Sequence, residues 1–143
     1  SADLGAQSAE GFLSLEDLQL GISKFTTTSS ILEQLKSTCE REIENTVRGT
    51  ILTLSTVTGT KETMFDLSTR FPYAAAEAME GFAVATAANS FSIPFLEIRA
   101  ISNHVGPRDK SKWNLQAAFV QLQNVGKVLR NSLISNSIER SNK

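Results

Sequence analysis

The sequence predicts an α/β fold. Runs of β-branched and apolar residues, bounded by glycine or proline, alternate with segments whose apolar residues recur every three or four positions. A chain of 143 residues is long enough for one domain with a hydrophobic core. Its composition, 41% hydrophobic and 20% charged, is typical of a folded globular protein.

The first part of the chain supplies two strands and two helices. Residues 2–21 contain three glycines and predict a short strand followed by a loop. A helix is predicted over 29–45, where the apolar residues fall at helical spacing. The β-branched run at 49–57 predicts a strand that ends in a polar loop. A short helix over 61–70 then ends before Pro72.

The second part contains an Ala-rich run, a strand and a long helix. Periodicity alone predicts one helix from Tyr73 to Phe91. Residues 93–101 predict a strand, because apolar residues dominate and Pro94 stands at its start, where a missing N–H is tolerated. After a loop of turn residues, an amphipathic helix is predicted from about 113 to 134. Its apolar stripe consists of Leu115, Ala118, Phe119, Leu122, Val125, Leu129 and Leu133.

Charge and composition exclude several classes of function. The net charge is −1 without a Lys/Arg-rich cluster, so neither nucleic acid nor a membrane surface is an expected partner. One cysteine, Cys39, and one histidine, His104, cannot make a zinc site, and we expect no metal and no cofactor. An unpaired cysteine fits a cytoplasmic protein. No apolar run reaches the roughly 18–20 residues of a membrane-spanning helix.

Polar residues follow two of the predicted strands, and one acid interrupts an apolar run. Asn103 follows the strand predicted at 93–101, and Thr58 and Thr60 follow the earlier strand. Ligands of open α/β sheets bind beyond the carboxyl ends of strands, yet Asn is also a common turn residue. Glu80 interrupts the Ala-rich run, either as an exposed acid at a helix start or as a carboxylate placed for function. The residues alone leave both alternatives open.

One stretch carries a family resemblance. The sequence "RFPYAAAEAMEGFAVATAANSFSIPFLEIRAISN", residues 70–103, resembles the core of the purine nucleoside phosphorylase/nucleosidase superfamily, where a Met-Glu pair precedes an R-x-I-S stretch. The following "SNHVGPRDKSKW" is similar to the branch that hydrolyses futalosine in menaquinone biosynthesis, rather than to the methylthioadenosine nucleosidases. The resemblance covers residues 49–135 well and the first 25 residues loosely.

The resemblance implies a nucleoside phosphorylase-like fold, with a mixed central sheet flanked by helices. In this family the chain before Met-Glu is a strand. Residues 73–78 are therefore expected to be extended and the helix to begin near Glu80, although Ala-rich sequence favours helix. Family members also have a longer N-terminal half that contains the first strands and an acid that orients the attacking water. We therefore expect residues 1–143 to be the C-terminal part of a single domain, without its N-terminal strands.

The resemblance also implies roles in cleavage of an N-ribosidic bond. Glu80 would accept hydrogen bonds from the ribose hydroxyls and stabilise the cationic transition state, while Met79 packs against the sugar. Asn103 stands where relatives that use acid catalysis have Asp. An amide cannot deliver a proton, but it can donate hydrogen bonds to the purine N7 or O6. This points to a 6-oxopurine such as hypoxanthine, although Asn also pairs with the N6/N7 edge of adenine.

Further residues receive roles from the same resemblance. Arg99 and Ser102 match family positions and would hold the Asn103 loop. Arg108 would bind the aryl carboxylate of futalosine, since guanidinium pairs with carboxylate through two hydrogen bonds. A surface ion pair between Arg108 and Asp109 is the alternative. His104 is expected to be a solvated neighbour.

Two departures from the family pattern leave alternatives open. Ala78 stands where nucleosidase relatives often have a second Glu, and the loop "TGTKE" lacks their purine-stacking Phe, so the stacking partner stays unassigned. The alternative enzymes are a phosphorylase that uses phosphate instead of water and a methylthioadenosine-type nucleosidase. An inactive nucleoside-binding fragment is the alternative outside catalysis. The resemblance also implies a homo-oligomer.

Overall fold

The computed structural model describes residues 1–26 and 29–141, with side chains to residue 135. The chain forms two compact units. Unit 1 comprises Ser1–Thr27, Gly49–Glu97 and Val105–Arg108, and unit 2 comprises Thr28–Arg48, Ile98–His104 and Asp109–Lys143. The elements in chain order are β1 (Gly5–Ser8), β2 (Gly11–Ser14), α1 (Ser30–Glu42), β3 (Thr50–Thr53), α2 (Lys61–Arg70), β4 (Ala74–Ala78), α3 (Gly81–Ser90), a 3-10 turn (Lys110–Lys112) and α4 (Leu115–Ser141). The predicted α/β class is confirmed.

Unit 1 contains two small sheets. Strands β1 and β2 form an antiparallel hairpin, where a single strand followed by a loop was predicted. Strands β3 and β4 pair in parallel, with Leu52 opposite Glu77 and Thr53 opposite Ala78. Ala2 forms a parallel bridge to Thr53 on the other edge of β3. Because parallel strands end at the same edge, the loops after β3 and β4 leave the sheet on one side.

A small hydrophobic core supports the parallel sheet. Leu52 and Leu54 pack with Leu67 of α2, and the three side chains are at most 7% exposed. Phe71 packs against this cluster. The predicted helix over 61–70 is confirmed as α2, whose start is capped by Thr60 through the N–H of Thr63.

The Ala-rich run divides into strand and helix. Residues Ala74–Ala78 form β4, and α3 begins at Gly81. The single helix that periodicity predicts from Tyr73 to Phe91 is therefore wrong, and the extended backbone implied by the family resemblance is confirmed. The reason is non-local: the backbone groups of β4 hydrogen-bond to β3, and this pairing overrides the helix propensity of alanine.

The strand predicted at 93–101 is wrong, because these residues form no strand. They connect unit 1 with unit 2, since Glu97 belongs to the first and Ile98 to the second. Ile93 and Ile101 are 59% and 60% exposed. An apolar, β-branched sequence becomes a strand only where a neighbouring strand satisfies its backbone groups, and the described residues give this segment no such neighbour.

Unit 2 is built on two helices, α1 and α4, that pack against each other. Leu32, Leu35 and Cys39 form the buried face of α1, and burial raises the pKa of the Cys39 thiol. Helix α4 extends the predicted range of 113–134 to residue 141. None of the described helices is both long and apolar enough to cross a lipid bilayer.

The apolar stripe predicted on α4 is covered only in part. Ala118, Val125 and Leu129 are half-buried. The larger side chains of the stripe are 43–59% exposed, and these are Leu115, Phe119, Leu122 and Leu133. The helical spacing was predicted correctly, but helical spacing alone does not determine how much of a stripe the rest of the chain covers.

Arg70 connects the hairpin, the first residues and α2 within unit 1. Both terminal nitrogens of its guanidinium donate to Asp3, and Nη2 also donates to Asp66. Its Cζ atom lies 4.5 Å from the ring centre of Phe12 and 5.3 Å from that of Phe71. The hydrogen bonds to Asp3 raise the pKa of Arg70, and that from Arg70 lowers the pKa of Asp66. The side chains of Arg70 and Asp3 are 22% and 23% exposed, so this pair is shielded from water, whereas Asp66 is 58% exposed.

We expect Arg70→Ala to lower the free energy of unfolding by about 2 kcal/mol, because it leaves a half-buried carboxylate without its charged partner. The measurement is urea unfolding of the 143-residue chain. Arg41→Ala is the matched control: its pair with Glu42 is exposed, and its loss is expected to change stability by less than about 0.5 kcal/mol. Equal losses in both variants would contradict a structural role for the Arg70 contacts.

Candidate functional site

The Met79–Glu80 pair lies in unit 1, between the end of β4 and the start of α3. Glu80 occupies the N-cap position of α3, where its backbone carbonyl accepts hydrogen bonds from the N–H groups of Ala83 and Val84. Its side chain makes no capping hydrogen bond and is exposed. The carboxylate therefore stands beside the positive end of the helix dipole, and capping does not require it.

Strand β3 fixes the start of α3. The N–H of Phe82 donates to Thr53 Oγ1 at 2.8 Å, so a side chain from the end of β3 satisfies one of the helix's first N–H groups. The Phe82 ring also packs on Phe25, with ring centres 5.2 Å apart. The Glu97 carboxylate lies against Gly81 where a β carbon would otherwise be. These contacts place the Met-Glu pair at the carboxyl end of the parallel sheet.

The loop after β3 is held on two sides. Glu77 of β4 accepts a hydrogen bond from the N–H of Thr58 at 3.0 Å. The carbonyl of Gly59 accepts another from the N–H of Arg108 at 3.3 Å. Unit 1 thus contains Met79, Glu80 and Arg108 of the predicted site, and the Arg108 side chain is exposed.

Asn103 lies in unit 2 with Ser102 and Arg99. Its side-chain oxygen accepts a hydrogen bond from Ser102 Oγ at 2.7 Å, and its Nδ2 donates to the carbonyl of His104 at 3.0 Å. An amide nitrogen has two hydrogens, so one of them can be donated to a ligand. Ser102 thus contacts the Asn103 side chain directly, while the side chains of Arg99 and His104 are exposed.

Asn114 joins this loop to α4. Its N–H donates to the carbonyl of Ser102 at 2.8 Å, and its side-chain oxygen accepts from the N–H of Ala117 at 3.0 Å, as an N-cap does. This role was not predicted from the sequence. An Asn directly before an amphipathic helix is the signal that could have found it.

Asp109 is bound within its own turn. Its carboxylate accepts hydrogen bonds from the backbone and side chain of Ser111 and pairs with Lys112 at 3.4 Å. The hydrogen bonds from Ser111 lower the pKa of Asp109. The Asp109 carboxylate thus caps the start of the 3-10 turn.

In the described part of the chain, no group of three or more His, Cys, Asp or Glu side chains is placed to hold a metal ion. Unit 1 presents a carboxylate at a strand-to-helix junction, and unit 2 presents a hydrogen-bonding amide. These are groups that bind hydroxyls and polar ring edges.

Comparison with known proteins defines the class. The sequence model of the Phosphorylase superfamily matches residues 3–133, and the chain belongs to this superfamily. The family predicted from the Met-Glu and R-x-I-S stretches is therefore confirmed.

Two relatives are similar to most of this chain. Futalosine hydrolase of Streptomyces coelicolor is 43% identical over 129 residues, which are 90% of this chain and 53% of that protein. Futalosine hydrolase of Acidothermus cellulolyticus is 40% identical over 122 residues, 85% of this chain and 50% of the relative. The chain thus spans about half the length of the relatives it matches. No solved structure matches it significantly.

Proposed function

We propose that the protein hydrolyses the N-ribosidic bond of a purine nucleoside, with futalosine as substrate and hypoxanthine and dehypoxanthine futalosine as products. The observation that carries this proposal is the identity of 43% and 40% to two futalosine hydrolases over most of this chain. The placement of Glu80 beside the start of α3 supports it, because a carboxylate there can accept hydrogen bonds from ribose hydroxyls.

We propose further that residues 1–143 correspond to the C-terminal part of a single nucleosidase domain. The support is that the chain matches only about half the length of either relative. In this proposal the remaining half contributes the group that orients the attacking water. The exposed apolar side chains of α4 favour assembly into a homo-oligomer, and the unpaired Cys39 favours a cytoplasmic location.

In the proposed reaction Glu80 and Met79 bind the ribose. As the bond breaks, positive charge develops on the sugar, and a carboxylate held near it lowers the energy of the transition state. Met79 is 48% exposed, so its thioether is accessible and supplies apolar surface for the sugar face. The carboxylate contact accelerates the reaction because it is stronger in the transition state than in the ground state.

Asn103 binds the departing purine in this proposal. Its oxygen is engaged by Ser102, which orients the amide so that an N–H of Nδ2 can be donated to N7 or O6 of hypoxanthine. Negative charge develops on the purine as it leaves, and a hydrogen bond to it strengthens in the transition state. Arg99 belongs to the same segment of unit 2 and is proposed to support the loop.

Arg108 is proposed to bind the carboxylate of futalosine. Its backbone N–H is fixed by the carbonyl of Gly59, while its guanidinium is exposed. A guanidinium that extends from an anchored backbone can pair with a carboxylate through two hydrogen bonds. The alternative is a surface ion pair with Asp109, whose carboxylate also accepts a hydrogen bond from Ser111 and pairs with Lys112.

The test is purine release by a protein of the relatives' length that contains this chain. We expect hypoxanthine to form from futalosine at the same rate with and without phosphate, measured by chromatography of the products. A rate that depends on phosphate would identify a phosphorylase instead. Binding of futalosine without turnover would identify a nucleoside-binding protein. The 143-residue chain alone serves as the control and is expected to release no purine.

A further inference from the structure

Thr58, in the loop after β3, has a buried hydroxyl. The residue is 6% exposed, and its Oγ1 is the buried side-chain atom without a hydrogen-bond partner among the described residues. A buried hydroxyl without a partner destabilises a protein, whereas valine has the same shape and no such cost. A requirement for packing alone would therefore be met better by valine.

The backbone of Thr58 is held in place. Its N–H donates to Glu77 Oε1 at 3.0 Å, and the carbonyl of the next residue, Gly59, accepts from the N–H of Arg108. Glu77 lies opposite Leu52, near the end of β3. Its hydrogen bond to Thr58 shows that its side chain reaches the loop that follows this strand. The loop is thereby coupled to the strand that leads into Glu80.

The position of Thr58 is that of a ligand-binding residue. Strands β3 and β4 run parallel, so the Thr58 loop and the Met79–Glu80 pair follow neighbouring strands at the same edge of the sheet. Ligands of α/β proteins bind at this edge. A polar atom that is fixed there and lacks a hydrogen-bond partner among the described residues is a candidate to form a hydrogen bond with a ligand.

We propose that the Thr58 hydroxyl is a further substrate-binding group, and that Glu77 is the residue that positions it. The inference rests on the proposed function, which supplies a purine nucleoside as the ligand. The hydroxyl forms a hydrogen bond with a polar atom of the nucleoside, on the base or on the sugar. Glu77 acts only through the loop, by accepting the N–H of Thr58.

Thr58→Val is the first test, in a protein of the relatives' length. We expect kcat/KM for futalosine to fall by about tenfold, because the substrate loses one hydrogen bond in a dry site. The melting temperature of the ligand-free variant is expected to stay equal or to rise, because an unpaired buried hydroxyl has been removed. Thr58→Ser keeps the hydroxyl and is expected to retain kcat/KM within about threefold. Thr56→Val, in an exposed part of the same loop, is the matched control.

Glu77 is tested by comparison of two variants. Glu77→Gln keeps an oxygen that can accept the N–H of Thr58, and it is expected to retain kcat/KM within about threefold. Glu77→Leu removes the acceptor and is expected to lower kcat/KM by about as much as Thr58→Val. The double variant with Glu77→Leu and Thr58→Val is expected to have a kcat/KM no lower than that of Thr58→Val alone, because the effects of residues that act through one contact are not additive.

The inference is overturned if Thr58→Val lowers the melting temperature and leaves kcat/KM unchanged, since the hydroxyl then has a structural partner. Additive effects of Glu77→Leu and Thr58→Val would overturn the positioning role. Inhibition by free hypoxanthine identifies the bonded group: weaker inhibition of Thr58→Val assigns the contact to the base, and equal inhibition assigns it to the sugar. An inactive wild type would refute the proposed function, and the inference with it. An active wild type with an unaffected Thr58→Val would refute the inference alone.

Discussion

Replacement of Glu80 by Gln is expected to lower kcat for futalosine hydrolysis by about 10- to 150-fold. Hydrogen bonds to a charged group contribute about 1.5–3 kcal/mol, and about 1.4 kcal/mol corresponds to a factor of ten in rate. Gln keeps the size and one acceptor oxygen of Glu80 but removes the negative charge. The loss should therefore fall mainly on kcat, because the charge acts on a cation that forms only in the transition state.

The fold should not change in this variant, because Gln keeps an oxygen that can accept the N–H of Met79, which donates to the Glu80 carboxylate at 3.3 Å, and the side chain makes no capping hydrogen bond to α3. Its melting temperature is the readout for this point. Glu62→Gln is the matched control, because Glu62 is also an acid at the start of a helix, in the first turn of α2. The control is expected to keep kcat within about twofold. Turnover of the Glu80 variant within about tenfold of the wild type would mean that Glu80 does not bind the ribose.

The junction that positions Glu80 shows what local sequence can and cannot predict. The Ala-rich run has the composition of a helix, and only the family resemblance predicts that its first part is extended. The structure gives the physical reason: β4 obtains its hydrogen bonds from β3, more than twenty residues earlier in the chain. Propensity describes one segment, whereas strand formation needs two.

The segment at 93–101 shows the converse error. Its apolar and β-branched residues satisfy every local rule for a strand, but it has no strand partner among the described residues. Because a helix satisfies its own backbone groups, helices α1 and α2 and the start of α4 were predicted within a few residues of their bounds, although α4 ends at residue 141 and not near 134. The elements that depend on a distant partner are those that sequence periodicity predicts poorly.

The contacts that hold the candidate site in place also could not be predicted from the sequence. The hydrogen bond from the N–H of Thr58 to Glu77 depends on the register of β3 and β4. A shift of one residue in that register would abolish the hydrogen bond. In contrast, the cap of α4 by Asn114 is a local feature. The family resemblance predicts which residues form the site, whereas the neighbours of each residue follow only from the fold.

Replacement of Asn103 by Asp is expected to shift the preference of the enzyme from hypoxanthine toward adenine nucleosides, by about tenfold or more in the ratio of kcat/KM values. Hypoxanthine presents the adjacent acceptors O6 and N7, which suit an amide donor. Adenine presents a donor beside N7, and its departure gains most from a protonated acid. General acid catalysis by a positioned carboxyl typically contributes about a hundredfold or more.

The surroundings of Asn103 favour such an acid. Nδ2 donates to the carbonyl of His104, so a carboxyl in this position places an oxygen where a donor stood. Two acceptors repel each other unless one of them carries a proton. The pKa of the introduced carboxyl is therefore expected to rise, and adenine release by the variant should be lost as pH increases through that pKa. The pH profile of adenine release measures this directly.

Arg108→Ala distinguishes recognition of the base from recognition of the rest of the substrate. It is expected to lower kcat/KM for futalosine more than for an uncharged hypoxanthine nucleoside, because only futalosine has a carboxylate for the guanidinium. The base preference of this variant should stay that of the wild type. Equal rates on hypoxanthine and adenine nucleosides, unchanged by Asn103→Asp, would contradict base recognition by Asn103. Selection of the base would then belong to another part of the protein, and the loop that contains Thr58 would be the next segment to test.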